Sequence, residues 1–292
     1  MDLRQVEQVL AVFDHGSVTA AARALHLAQP SVSETLRRTE RELGTELFHR
    51  VGRRLRPTPA GEAFVGPARQ LLRDRDGLVA GVAAVAGGLA GRLDLACLPT
   101  LAAWPLAPLL AALRVDLPGV TIRVIEAADL ATTTRLVATG VAELALGELP
   151  APEGMDSLRL ARQELFAVLP PGSAAGAALS VRDVASFPLL TGPAGSSTRR
   201  LLDAALRRSA TRATIVGEIG TREALVPLVL AGAGATVLPA DQAQGAASLG
   251  AVVRPIVPAV RRDVGFFYRP GPLTPIAEAL LRRARVLPPP PG

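Results

Sequence analysis

Two short helical patterns joined by a tight connection limit how the first part of this chain can fold. Small and apolar side chains at 20–25 predict a short helix, and Ser17 can cap it. A connection at 26–29 leads to Pro30, which suits the first turn of a helix because its missing N–H costs nothing there. Gly44 ends that second pattern. The arrangement is typical of a helix-turn-helix, with an ordinary αα-hairpin as the alternative.

In a helix-turn-helix, the second helix places its N-terminal residues against base edges in the major groove of DNA. Glutamine can bind adenine through two hydrogen bonds, and serine can bind several bases or a phosphate. The candidate DNA-binding residues of this helix are Gln29, Pro30, Ser31, Ser33, Glu34, Thr35 and Arg38.

A basic segment after this helix has the pattern of a wing. Strand-like pieces at 48–50 and 54–56 flank Gly52, which suits a hairpin turn. The net charge of +6 is spread over the whole chain, but segment 15–58 carries 8 Arg against 4 acidic residues. We expect its arginines to lie beside phosphates, with a solvated charged loop as the alternative. The candidate wing residues are Arg50, Arg53, Arg54 and Arg56.

A long helix is predicted after the wing. Thr58 suits the N-cap, and Pro59 suits the first helical position. Pro67 should kink this helix or delay its start. A heptad spacing, which predicts a partner helix and hence a dimer, connects Phe64, Ala68, Leu71, Arg75, Leu78, Val82 and Val85. A single helix packed on a core is the alternative.

Four segments of this region resemble the LysR-type transcriptional regulators in order and spacing. They read SVTAAARALHLAQPSVS at 17–33, ERELG at 40–44, LFHR at 47–50 and TPAG at 58–61. The resemblance implies a winged helix-turn-helix, a dimerising linker helix and an inducer-binding domain of periplasmic-binding-protein type. It also implies double-stranded DNA and a small-molecule effector as partners.

Two positions depart from the family's pattern. Glu34 stands where the family usually has Arg or Lys, and a carboxylate there repels phosphate. The Glu34 carboxylate could instead accept a hydrogen bond from cytosine, or it could hold Arg37 or Arg38 in place. Thr39 stands where the family usually has Leu, which weakens the local core.

Strand and helix patterns alternate through the rest of the chain, after a glycine hinge at Gly87, Gly88 and Gly91. This alternation predicts an α/β domain with a mainly parallel sheet. Strands are expected at 93–98, 120–125, 144–146, 164–169, 188–190, 214–216, 235–238 and 262–268. Helices are expected at 99–113, 130–138, 197–208, 222–230 and 276–285.

Three domains follow from these patterns. A winged helix-turn-helix occupies 1–58, a linker helix 59–89 and a two-lobed effector domain 90–292. The chain should return to the first lobe near its end, so lobe I takes 90–161 and 266–292 and lobe II takes 162–265.

Ligands in open α/β sheets bind beyond the carboxyl ends of strands, where helix N-termini favour carboxylates. Thr100, Thr191 and Thr221 occur at such points. The segments 98–100, 195–197 and 231–239 resemble the LysR-type effector domain, which implies an inducer in the cleft between the lobes, held by the same threonines. The candidate effector residues are Thr100, Leu101, Thr191, Gly192 and Thr221.

Two alternatives remain for these polar residues. Each threonine could merely cap its helix. The nearby arginines, Arg199, Arg200 and Arg222, are expected to be solvated helix residues rather than ligand clamps.

Nothing in the sequence suggests catalysis, a metal or a cofactor. The three histidines, His15, His26 and His49, all lie in the DNA-binding region, so the sensing region has no histidine for a triad or metal site. A Walker motif is impossible without Lys. Cys97 lies in a predicted buried strand and is expected to be a core residue. The alternative function is an α/β solute-binding or catalytic protein whose N-terminal helices serve only for assembly.

The remaining expectations concern partners and location. A single cysteine, no signal-like N-terminus and no apolar run of membrane-spanning length indicate the cytoplasm. We expect a homodimer that pairs into a tetramer, an effector such as a small carboxylate, and RNA polymerase as a further contact.

Overall fold

The computed structural model describes residues 1–51, 54–85 and 89–288, and the elements below lie within these ranges. The expected wing turn at Gly52, the wing residue Arg53, and the expected hinge glycines Gly87 and Gly88 fall outside them. Gly91, the third glycine of that hinge, is the first residue of a strand.

The N-terminal region is a bundle of three helices, α1 (Leu3–His15), α2 (Val18–Ala24) and α3 (Gln29–Leu43). The Ser17 hydroxyl accepts a hydrogen bond from the Ala20 amide at 3.1 Å, as an N-cap does. Gly16 ends α1 in the left-handed backbone region, where glycine is not strained. The helix-turn-helix spacing of the sequence is therefore reproduced.

The core of this bundle is small and well filled. Ala21 and Ala22 are buried, so α2 approaches its neighbours closely, and Val32 and Leu36 present the apolar face of α3 to the core. The ring of Phe13 lies 4.2 Å from that of Phe48, centroid to centroid. This contact joins α1 to the segment after α3.

That segment is a two-stranded antiparallel wing, β1 (Phe48–Val51) and β2 (Arg54–Pro57). Two hydrogen bonds hold it against the helices. The Glu40 carboxylate accepts from the Leu47 amide at 2.9 Å, and the Leu55 amide donates to the Gly16 carbonyl at 3.1 Å. The wing is thus fixed relative to α3.

The linker helix α4 (Pro59–Val85) begins directly after the wing. The Thr58 hydroxyl accepts from the Gly61 amide at 3.0 Å, as expected of its cap. Pro67 lies inside the helix, so the expected delay in its start is wrong. Ala68 packs on α1, whereas Leu78 and Val82 are 69% and 68% exposed. The first half of α4 packs on a core, and the second leaves its apolar stripe open.

Seven further helices and eight further strands complete the described residues. The strands are β3 (Gly91–Cys97), β4 (Val120–Glu126), β5 (Leu144–Leu149), β6 (Asp156–Leu169), β7 (Leu189–Thr191), β8 (Ile215–Glu218), β9 (Thr236–Pro239) and β10 (Val252–Tyr268). The helices are α5 (Ala107–Asp116), α6 (Leu130–Ala138), α7 (Val181–Ala185), α8 (Ser197–Arg208), α9 (Leu225–Leu230), α10 (Ala240–Ser248) and α11 (Pro275–Arg285).

The principal sheet is mixed, so the expectation of a mainly parallel sheet is wrong. Its strand order is β4-β3-β5-β10-β6-β9. Strand β3 is parallel to β4 and β5, but β10 is antiparallel to both β5 and β6, and β6 to β9. The cause is the pair of long strands, β6 and β10, which cross together from lobe I to lobe II. A small parallel pair, β7 and β8, lies in lobe II.

The helix expected at 99–113 is interrupted. A 3₁₀ turn at Pro99–Leu101 and a short π-helical turn at Ala102–Leu106 precede α5. Trp104 has extended backbone angles, φ −141° and ψ 133°. The physical reason is Pro105, because a proline disfavours helical angles in the residue before it. The expected helix at 222–230 likewise starts with a 3₁₀ turn, Arg222–Ala224.

Helix α4 also contacts lobe I through arginine side chains. Arg69 donates to the Thr139 carbonyl at 2.8 Å, and Arg73 donates to the Gly140 carbonyl at 2.6 Å. Both carbonyls lie at the C-terminal end of α6, where cations are favoured. Arg69 also pairs with Asp14 of α1, so one side chain touches the DNA-binding bundle and lobe I.

Candidate nucleic-acid interface and ligand cleft

The N-terminal end of α3 presents a free polar edge. Gln29, Pro30, Ser31 and Glu34 are exposed, and Ser33 is half-buried. The opposite face of the helix carries the buried Val32, Leu36 and Thr39. Every third or fourth residue of α3 therefore faces the core, and the candidate base-reading residues are left outside.

Ion pairs run along the exposed face of α3. Arg41 binds Glu34 at 3.0 Å, and Arg38 binds Glu42 at 3.1 Å. Of the two roles considered for Glu34, holding Arg37 or Arg38 is wrong, because its partner is Arg41, two helical turns away on the same face. Exposed pairs of this kind contribute little to stability, so these arginines can exchange partners readily.

The wing adds further exposed arginines to the N-terminal region. Arg50 on β1 and Arg56 on β2 are exposed, and Arg56 is the register partner of His49. Arg54 begins β2, and Arg53 lies outside the described residues. The half-buried Thr35, one turn along α3, completes the set expected from the sequence.

A second candidate site is the cleft between the lobes, a cavity of about 320 Å³. Lobe I contributes Pro99, just after β3, Glu126, the last residue of β4, and Asp129, just after β4. Lobe II contributes the loop at 192–196 and the 3₁₀ turn at Arg222. The cavity thus lies beyond the carboxyl ends of strands, where ligands bind in α/β proteins.

The expected effector residues are not brought together in this cavity. Gly192 lines it, and Thr191 and Gly192 also line a narrow adjoining pocket. Thr100 and Leu101 are buried, and Thr221 is exposed. The Thr100 hydroxyl accepts from Arg262 at 2.8 Å, and the Thr191 hydroxyl accepts from Arg199 at 2.7 Å.

The alternative of simple helix capping is wrong for all three threonines. Thr221 precedes its 3₁₀ turn but makes no capping bond with its side chain. The residue before the turn at Pro99–Leu101 is Leu98, not Thr100. The hydroxyls of Thr100 and Thr191 instead accept hydrogen bonds from arginine side chains, which the sequence did not indicate.

Two of the three nearby arginines are also less solvated than expected. Arg199 is half-buried between Thr191 and Asp203, which it binds at 2.8 Å. Arg222 is half-buried beside the cavity, and burial lowers the pKa of its guanidinium. Arg200 is exposed and pairs with Glu148.

Sequence reasoning missed the most buried charge of this region, Arg262. Its side chain is 3% exposed and lies where β10 crosses between the lobes. It donates to Gln163 of β6 at 2.8 Å and to Glu148 of β5 at 3.1 Å, and it also contacts Ser197 at the start of α8. Burial lowers the pKa of Arg262, and the Glu148 carboxylate opposes that effect.

Several polar atoms around the cleft are buried without a hydrogen-bond partner among the described residues. They are Gln163 Nε2, Ser196 Oγ, Thr198 Oγ1 and Asp241 Oδ2. Ser196 precedes α8 but makes no capping bond, so the first amides of that helix are not satisfied by a side-chain cap. Because buried polar groups without partners are costly, this end of α8 is suited to a polar ligand group.

The part of the chain that the structure describes offers neither a metal site, nor a membrane-spanning helix, nor a reactive thiol. It holds no cluster of His, Cys, Asp and Glu that could bind a metal ion, and no helix with the length and apolar character to cross a membrane. Cys97 is buried, and burial raises the pKa of its thiol to about 12.

Comparison with known families decides between the two interpretations of the N-terminal helices. Residues 3–62 match the family described as "Bacterial regulatory helix-turn-helix protein, lysR family", and residues 86–286 match the "LysR substrate binding domain". The chain belongs to the LysR family. Winged helix-turn-helix, linker helix and two-lobed effector domain are therefore the architecture of a LysR-type transcriptional regulator.

Curated relatives support this LysR-type assignment over nearly the whole chain. The nitrogen assimilation regulatory protein nac of Klebsiella aerogenes is 30% identical over 285 residues, covering 96% of this chain and 93% of the relative. The transcriptional activator protein LysR of Escherichia coli K12 is 30% identical, covering 87% and 82%. The first is named as a regulatory protein and the second as a transcriptional activator.

Solved structures of LysR-type regulators share the fold. A full-length OxyR variant from Pseudomonas aeruginosa covers 99% of both chains with a TM-score of 0.74 and 23% identity. Full-length CbnR in complex with its target DNA covers 98% of this chain and 99% of its own, with a TM-score of 0.64 and 22% identity.

Proposed function

We propose that this LysR-type regulator binds double-stranded DNA through α3 and the wing, and that a small ligand in the interlobe cleft modulates that binding. The observation that carries the proposal is the solvent-facing edge of α3 at Ser33 and Glu34, which is free to enter a major groove. We divide the chain into a DNA-binding domain at 1–58, a linker at 59–89 and an effector domain at 90–292.

The candidate DNA contacts divide into two classes. The residues at the start of α3 (Gln29, Pro30, Ser31, Ser33, Glu34 and Thr35) face base edges and set specificity. The arginines Arg38, Arg50, Arg53, Arg54 and Arg56 face phosphates and set affinity. The exposed positions of Arg50 and Arg56 support this assignment.

Fluorescence anisotropy with DNA from upstream of the protein's own gene tests the proposal. The double variant Arg50→Ala/Arg56→Ala should bind all sequences more weakly. The slope of log Kobs against log salt should fall by about 0.9 for each phosphate that the protein no longer neutralises. Arg208→Ala, on the exposed end of α8, is the matched control and should change neither quantity. An unchanged slope in the double variant would remove both arginines from the interface.

The proposed effector site is the cleft between the lobes. A carboxylate of the ligand would meet the uncapped start of α8 and the half-buried Arg222. The description of the second domain as a LysR substrate binding domain supports a small ligand there. Lobe closure around such a ligand would shift the relative positions of the DNA-binding domains.

Assembly completes the proposed function. The exposed stripe at Leu71, Leu78 and Val82 supports pairing of two linker helices into a homodimer, which would pair again into a tetramer. We propose that the assembly acts in the cytoplasm, contacts RNA polymerase and has no catalytic activity of its own.

A further inference from the structure

The interlobe cavity carries more negative than positive side chains. Three carboxylates, Glu126, Asp129 and Glu223, line it together with a single guanidinium, Arg222. Three negative charges against one positive charge leave a formal charge of −2 on its walls. A ligand with carboxylates alone would enter against this charge, so the small carboxylate expected from the sequence explains only part of the site.

The lobe II wall is suited to an anion. Arg222 makes no hydrogen bond and no ion pair with its side chain anywhere in the described ranges, although it is half-buried. Ser196 Oγ and Thr198 Oγ1 are buried without partners, and Ser196 leaves the first turn of the twelve-residue α8 without a side-chain cap. Arg222 and Ser196 Oγ line this wall without a partner among the described residues and indicate a carboxylate of the ligand, whereas Thr198 Oγ1 lies in the narrow adjoining pocket.

The lobe I wall is suited to a cation. Glu126 ends β4 with an exposed carboxylate that pairs with no other described residue. Asp129 accepts a hydrogen bond from the Thr132 amide at 2.7 Å, as the cap of α6, and its side chain also lines the cavity. The two acids lie three positions apart, where the chain leaves the sheet at the mouth of the cleft.

We propose that the effector carries both a carboxylate and a protonated amine, as an amino acid does. Its carboxylate binds the lobe II wall at Arg222 and the start of α8, and its ammonium group binds Glu126 and Asp129 of lobe I. A ligand with opposite charges at its two ends would draw the two lobes together. This inference rests on the proposed function, because it names the chemical class of the effector.

Pairs of compounds that differ only in the amine test the proposal. Thermal unfolding of the full-length protein is measured with the twenty standard amino acids, L-ornithine and L-norvaline, and with the matching acids without an amine, such as pentanoate for norvaline. We expect at least one amino acid to raise Tm, and its amine-free counterpart to bind at least about tenfold more weakly by calorimetry, the loss of one charged hydrogen bond. Stabilisation by none of the amino acids, or equal binding of both members of a pair, overturns the proposal.

Two variants locate the amine. Glu126→Gln should lower affinity for the amino acid about tenfold and leave that of its amine-free counterpart unchanged, because only the charge partner of the amine is removed. Asp129→Asn keeps an oxygen that can cap α6 and should act in the same direction. Glu153→Gln, an exposed position outside the cavity, is the matched control. Unchanged affinity in both cleft variants would contradict the placement.

The test of the amino-acid effector and the test of DNA binding can fail independently. DNA binding by the ligand-free protein is measured independently by anisotropy. If the protein binds DNA but binds each amino acid and its amine-free counterpart equally, the proposed DNA-binding function is supported and the amino-acid proposal is wrong. If amino acids bind but the Arg50→Ala/Arg56→Ala variant keeps the wild-type salt slope, the proposed DNA contacts are contradicted and the proposed ligand class is still supported.

Discussion

At the scale of single residues, burial determines the reactivity of the Cys97 thiol. Its thiol is buried in β3, donates to the Leu98 carbonyl at 3.2 Å, and has a pKa raised to about 12 by burial. The thiolate is the nucleophile in thiol chemistry, so the native side chain is inert at neutral pH.

We therefore expect the folded protein not to react with 5,5′-dithiobis(2-nitrobenzoic acid). In concentrated guanidinium chloride the same protein should release one equivalent of chromophore, since the sequence holds a single cysteine. Rapid labelling of the native protein would show that β3 is not closed around the sulfur.

Glu143 is a second residue whose burial has a measurable consequence. Its carboxylate accepts from the Thr274 amide at 2.7 Å and from the Thr274 hydroxyl at 2.9 Å, at the start of α11. Burial raises the pKa of Glu143, while Thr274 and the nearby Arg73 oppose the change and Asp74 adds to it. The folded state thus holds the proton more tightly than the unfolded state does.

The sign of the pH effect follows from that difference. As pH rises from about 5 to about 7.5, the wild type should lose unfolding free energy relative to Glu143→Gln, whose side chain does not titrate. Urea unfolding at the two pH values measures the difference. Glu278→Gln, on the exposed face of α11, is the control for removal of a carboxylate at an exposed position. An opposite trend in Glu143→Gln would mean that the hydrogen bonds from Thr274 outweigh burial.

The sequence indicated where two candidate effector residues lie but not which side chains they bind. Thr100 and Thr191 do lie beside the interlobe region, but their hydroxyls bind Arg262 and Arg199 rather than open space. No local pattern could show this, because Arg262 lies 162 positions from Thr100 in the chain. Long-range strand pairing alone brings the two side chains together.

Among the elements, helices were the most predictable. The boundaries of α6 and α8 agree with the expected 130–138 and 197–208, because each has a clear apolar period and a polar residue before it. Helices α7 and α10 were missed, since α7 is only five residues long and α10 is rich in alanine. Strands β6 and β10 are longer than expected. The missed part of β10 contains Pro255 and Pro258, which argue against a strand, and the missed part of β6 has only Leu158 and Leu160 as large apolar residues among charged and polar ones.

The open stripe of α4 gives a prediction at the scale of an element. The double variant Leu78→Glu/Val82→Glu places like charges along the proposed helix pair and should convert a dimer to a monomer, measured by size-exclusion chromatography with light scattering. Ala63→Glu, exposed near the start of α4 and outside the heptad stripe, should leave the mass unchanged. A dimer that persists in the double variant would place the contact elsewhere.

At the scale of the whole molecule, the alternating βαβ pattern predicted two α/β lobes but not how they join. Strands β6 and β10 cross between them as an antiparallel pair, and Arg262 and Gln163 are register partners at the crossing. Glu148, Ser197 and Thr100 meet the same guanidinium. One side chain therefore connects three strands of the sheet with the start of α8.

Removal of Arg262 should destabilise the effector domain. Arg262→Met removes the buried partner of Glu148 and the donor to Gln163 and Thr100. Because Arg200 still pairs with Glu148, the cost should be about 1–3 kcal/mol, that of buried polar groups left without a partner. The neighbouring Arg261 is 49% exposed and pairs with Glu164, so Arg261→Met should cost less than about 1 kcal/mol. Urea unfolding followed by circular dichroism compares the two. Equal costs would show that the crossing does not depend on this network.

Helix α6 spans the distance between the ligand cleft and the linker. Asp129, at one end, lines the cavity, and the carbonyls of Thr139 and Gly140, just past the other end, are held by Arg69 and Arg73 of α4. Nine helical residues measure only about 14 Å and do not stretch, so the two ends cannot move independently. A displacement of Asp129 would therefore be transmitted to Arg69, which also pairs with Asp14 of α1, next to the helices proposed to bind DNA.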